Sequence, residues 1–131
     1  MIRFFNYLAD PIHNGVGTQE GSYLYQRRSN GNLARLTFTP GAAKQAVLGA
    51  IDEVADRDLI ETIVVGSRLA AELLLCGGII TEGKLKWARF SKDSQFLEIP
   101  FVEVDGLIVT VRVTKAKPMQ VKILDPDGKR L

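Results

Sequence analysis

The chain has one cysteine, Cys76, and one histidine, His13, among its 131 residues. A lone cysteine makes no internal disulfide and no cysteine cluster for zinc, so it reads as a small apolar residue at a helix end. A lone histidine leaves a single base for any serine or cysteine nucleophile, and His13 sits in a glycine-rich stretch where a solvated loop histidine is the simpler reading. Long hydrophobic runs are missing too: Arg68 and Glu72 interrupt the most apolar region well short of the ~20 residues of a membrane span. Charge of one sign is also lacking. With 17 basic against 15 acidic residues the net charge is +2, too little for the global field to select a nucleic acid or a membrane. The first residues hold one arginine and no apolar run leading to a small-residue cleavage site, so no secretory signal is read and a cytoplasm is the expected compartment.

What is present is an ordinary globular composition, 46% hydrophobic and 24% charged. The expectation is one α+β domain spanning residues 1–131, with a mixed, mainly antiparallel sheet of about six to seven strands and two helices packed on it. Residues 2–8 read as a strand and residues 11–21, with three glycines and a proline, as a flexible arm or loop. Asn30-Gly31 predicts a two-residue hairpin turn, which places Tyr25 opposite Leu36 and Tyr23 opposite Phe38 on one face, with Gln26 and Arg35 on the other. Thr39-Pro40 predicts the start of a helix over 40–56, its buried stripe drawn from Ala43, Ala46, Val47, Ala50, Ile51 and Val54. A buried strand over 60–65 follows, then a short helix over 68–76 stopped by Gly77-Gly78.

The last third reads as four strands, 84–90, 96–104, 107–113 and 119–124. Asp105-Gly106 predicts a hairpin pairing Val104 with Leu107, Val102 with Val109 and Pro100 with Val111. Its second face would then carry Ile99, Phe101, Glu103, Ile108, Thr110 and Arg112. Pro100 donates no ladder bond, which points to an edge or a bulge there. Residues 125–128 (DPDG) read as a turn.

No catalytic, cofactor-binding or metal-ligating constellation emerges. The carboxylates Asp52, Glu53, Asp56 and Asp58 fall at the end of an amphipathic helix, a solvated face. The glycines of residues 14–21 do not join a strand to a helix, so they fail the context of a phosphate loop. One local patch joins an aromatic to basic residues: Lys84, Lys86, Arg89 and Lys92 around Trp87, candidate nucleic-acid contacts with Arg27, Arg28 and Arg35 as contributors. Strand alternation puts Trp87 on the face of Leu85, in the core, and the lysines on the other.

The order hairpin, helix, strand, short helix and IPFVEVDG strand over residues 36–104 resembles the axial domain in shell subunits of tailed-phage major capsid proteins and the related encapsulins. The run AVLGAIDEVADRDLIETIVVGSRLAAELL, with a charged turn, a TIVV strand and an SRLAAELL helix, carries the likeness. Full shell subunits are longer and have a spine helix that this order lacks, so the resemblance implies a truncated form in which the first hairpin or the 11–21 arm makes the intersubunit contact. It implies a non-enzymatic, self-assembling or virion-associated structural protein, a homo-oligomer or a protein with a protein partner, in a bacterial host's cytoplasm or in the virion. Tyr23, Tyr25, Arg27, Arg28 and Phe101 are the candidate interface residues. The alternative is a small phage- or mobile-element-encoded protein that contacts a host protein or nucleic acid through the basic patch. Neither reading calls for a cofactor, a membrane or a small-molecule substrate.

Overall fold

A glycine in a backbone conformation that other residues avoid opens the first described helix. Gly41 has φ 83° and caps α1 (Ala42–Asp52), its carbonyl accepting the Gln45 N–H at 2.9 Å. In the computed structural model, residues 41–74, 79–92, 96–114, 117 and 119–131 are described, the Glu82 side chain excepted, and residues 16–20, 23–27 and 33–35 are described by their backbone. The strand expected over 2–8, His13, Arg28, the Asn30-Gly31 turn, Thr39-Pro40, Cys76 and Gly77-Gly78 lie outside these residues.

The buried stripe of α1 is Ala43, Val47 and Ile51, one residue per turn. Ala46, expected in that stripe, is exposed, and the helix stops at Asp52 instead of running to 56. Asp56 instead caps a single 3-10 turn (Arg57–Leu59), its side chain accepting the Asp58 N–H at 3.1 Å.

Among the described residues two sheets replace the single one expected. The smaller is β1-β2-β3, formed by Val16–Glu20, Tyr23–Arg27 and Leu33–Arg35, antiparallel throughout. Residues 16–20 of the expected arm are therefore a strand. Tyr25 pairs with Arg35 and Gln26 with Ala34, one residue out of the predicted register.

The larger sheet has β4 (Thr62–Gly66), β5 (Arg89–Phe90), β6 (Leu97–Val104), β7 (Leu107–Thr114) and β8 (Val121–Leu124), in the order β5-β6-β7-β4-β8. Only β4 with β7 runs parallel, so the sheet is mixed and mainly antiparallel. Thr62 to Gly66 are all buried, as suits a central strand. After β4 the chain turns into α2 (Ser67–Glu72), which continues as a wider turn through Leu73 and Leu74. A third helix, α3 (Glu82–Leu85), stands where a strand over 84–90 was predicted. The turn bonds Leu85 N–H to Thr81 and Trp87 N–H to Lys84 close the chain locally, and only Arg89 and Phe90 remain as strand.

The helices lie on one face, α1 against β8, α2 against β4 and β7, and α3 against β6. Between them and the sheet sits one core, with Ile63, Val65, Ile99, Val102, Val111 and Val113 at its centre. A buried carboxylate ties two helices together: Glu72, 5% exposed, accepts the Ala43 N–H at 3.3 Å. Negative charge at a helix N-terminus is favourable, and this contact satisfies a donor that has no partner within α1.

The β6–β7 hairpin holds the predicted pairs Val104 with Leu107 and Val102 with Val109, and its turn has positive φ at both Asp105 and Gly106. Beyond them the register shifts by one at Pro100 and Phe101, so that Ile99 faces Val111 in place of Pro100. This bulge moves Ile99 from the predicted outer face into the core. It also leaves Phe101 with φ 59°, a left-handed backbone that a bulky residue adopts at a cost of roughly 1–2 kcal/mol. After β8, residues 125–128 form the expected turn, Asp125 Oδ1 accepting the N–H groups of Asp127 and Lys129. Arg130 then bridges back to Leu124.

Candidate functional site

Strand alternation gives the large sheet an outer face that no described helix covers. Across its middle runs one row of side chains, Arg89, Glu98, Arg112, Val64 and Lys122, each the cross-strand neighbour of the next. The guanidinium of Arg112 meets the Glu98 carboxylate at 3.3 Å and lies over the Phe96 ring, 5.1 Å from its centroid. Two of its directions are thereby fixed. Its Nε is buried and has no hydrogen-bond acceptor among the described residues.

Val64, which faces outward between Arg112 and Lys122, is only 3% exposed. It forms the floor of an open concavity of about 260 Å³. Arg112 and Lys122 are its walls, and Lys117 and Gln120 contribute from the segment leading into β8. Among the described residues no carboxylate lines it.

At the opposite end of the same face two apolar side chains stand exposed beside Glu103, the cross-strand partner of Ile108. Phe101 and Ile108 are 62% and 63% exposed, and alternation from the buried Val102 and Val109 turns both outward. The hairpin tip beside them is held by Arg57, which donates to Asp105 Oδ2 at 2.9 Å and to the Asp105 carbonyl at 2.7 Å. Leu59, exposed in the turn that Arg57 begins, belongs to the same end.

The interface candidates are divided between the two sheets. Tyr23, Tyr25 and Arg27 lie on β2, the middle strand of the small sheet, and Phe101 on the bulge of β6. Of the basic candidates Lys84 and Lys86 leave the expected strand, for α3 and the turn after it, while Arg89 stays on a strand, β5, and Lys92 lies just beyond. Trp87, expected in the core, is 57% exposed, because its segment turns helically and alternation no longer applies. Lys86 Nζ stands 5.5 Å from the centre of its ring.

The concavity and its three cations were not singled out from the sequence. Arg112 and Lys122 do carry a signal, each a long cation alternating with buried apolar residues, but it marks an outer face and names no partner. Among the described residues no group of three or more histidine, cysteine, aspartate or glutamate side chains could hold a metal ion, and no helix is long and apolar enough to cross a membrane. Comparison of the chain with protein-family models, curated proteins and solved structures finds no match in any of the three.

Proposed function

We propose that this protein is a non-enzymatic structural component that assembles through contacts of its outer sheet face, with a second copy of the chain as the first partner. The observation that carries the reading is Phe101. Its ring is exposed on a strained backbone, so it gives the fold nothing that a glycine at φ 59° would not give at lower cost. Ile108 adds a second exposed apolar side chain on that face. A two-fold axis across the hairpin sets Phe101 of one copy against Ile108 of the other, the self-complementary arrangement of a symmetric contact. The likeness of residues 36–104 to phage shell subunits agrees with assembly in a virion or virion-like particle.

Phe101, Ile108 and Leu59 cover only part of the roughly 800 Å² per partner of a standard interface. Association is therefore expected to depend on concentration. Light scattering over a dilution series should show a mass that rises with concentration in the parent chain and stays monomeric in the Phe101→Gly, Ile108→Thr double variant. A parent that remains monomeric, or a variant that assembles equally, rejects the reading.

A second reading, contact with single-stranded nucleic acid, is favoured by the exposure of Trp87 beside Lys84, Lys86, Arg89 and Lys92. An exposed ring among cations is a stacking platform. If the four cations each neutralise a phosphate, the logarithm of affinity falls with that of salt at a slope of about −3. Binding that survives Trp87→Ala with the same slope speaks against this patch.

A further inference from the structure

We propose that the concavity on the outer sheet face is a binding site for a phosphomonoester. The inference is independent of the assembly reading, which rests on the opposite end of the face. Among the described residues three cations, Arg112, Lys117 and Lys122, surround the concavity, and the one neighbouring carboxylate is Glu98 on Arg112. Two positive charges are left in surplus, matching the charge of about −1.5 to −2 on a phosphomonoester at neutral pH better than the single charge of a carboxylate or a phosphodiester.

The geometry is built for one compact anion. Arg112 and Lys122 are both cross-strand partners of Val64, which sets their backbones roughly 10 Å apart, two strand spacings, so that both long side chains reach a point above the valine. The Phe96 ring and Glu98 hold the guanidinium in place before any ligand arrives. Gln120 adds a side-chain amide. At about 260 Å³ the space falls just below the ~300–1,000 Å³ of pockets that enclose drug-sized ligands, so it takes the phosphate and leaves the rest of the molecule outside.

The test is a titration of the full chain followed by amide NMR shifts, with three probes: inorganic phosphate, adenosine 5′-monophosphate, and a single-stranded oligothymidylate lacking terminal phosphates. Inorganic phosphate and the monophosphate are expected to produce saturable shifts confined to β4, β7, β8 and residues 117–120. Affinity should fall about tenfold or more in the Lys117→Gln, Lys122→Gln double variant. These side chains lie at the surface or half-buried, so the variant keeps the core, and Arg112 with its Glu98 contact is left intact. Binding should also weaken as pH drops below about 6, where the phosphate takes up its second proton. The Lys86→Gln variant, outside the concavity, should bind like the parent. Absence of saturable shifts, equal affinity in the double variant, or tighter binding of the oligothymidylate than of both monoesters at these same residues would each overturn the proposal.

Discussion

The two faces of the five-stranded sheet are made from the same strands and obey opposite rules. Inside, Ile99, Val102, Val111 and Val113 meet the helices, and each exists to exclude water. Outside, the same strands carry Glu98, Arg112 and Thr110, and, toward the hairpin, the exposed Phe101, Ile108 and Glu103. Stability and interaction are thus separated by the alternation of side chains along single strands. A substitution's effect should depend on which way its residue points more than on its chemical type.

Two isoleucines on neighbouring strands test this most severely. Ile99→Ala should cost about 2–5 kcal/mol in denaturant unfolding, whereas Ile108→Ala, similar in chemistry but exposed, should stay within about 0.5 kcal/mol of the parent. Equal losses would end the comparison. On the helix side, Glu72→Ala removes the acceptor of the buried Ala43 N–H and should cost about 1–3 kcal/mol. If the unfolding midpoint does not move, the contact between α1 and α2 is not what orients them.

The outer face makes smaller and partly opposite demands. Phe101→Gly should leave the melting temperature unchanged or raise it, a gain of up to about 1 kcal/mol from relief of the left-handed backbone. A clear loss of stability would show that the ring supports the fold itself. The smallest effect is expected at Arg57→Ala. The Arg57–Asp105 ion pair joins two side chains that are each more than a third exposed, so its removal should cost under about 1 kcal/mol and less in high salt.

Legibility in the sequence followed the range of the interactions. The Asp105-Gly106 turn fixes its own hairpin through two residues, and the pairs next to it were readable; the site of the bulge was readable too, from the missing N–H of Pro100. The consequence of the bulge, Ile99 turning inward, was not, because alternation was carried straight through it. Residues 84–87 (KLKW) alternate as a strand does, yet the local bonds of a helical turn prevail there and turn Trp87 outward. The concavity was least accessible of all. Its walls become neighbours only when β4 inserts between β7 and β8, and no motif announces the parallel pairing of β4 with β7.

That insertion has a kinetic side. Thr62 pairs with Thr110, 48 residues further on, and with Leu124, 62 residues further on. Pairings of such separation form slowly, because a long loop must close before any contact rewards it. During folding, the apolar run of β4 waits with both edges open until β7 and β8 arrive, and an open apolar strand is also a template for pairing with other chains. Refolding yield should therefore fall steeply with protein concentration, even though the finished sheet keeps the same strand at its protected interior.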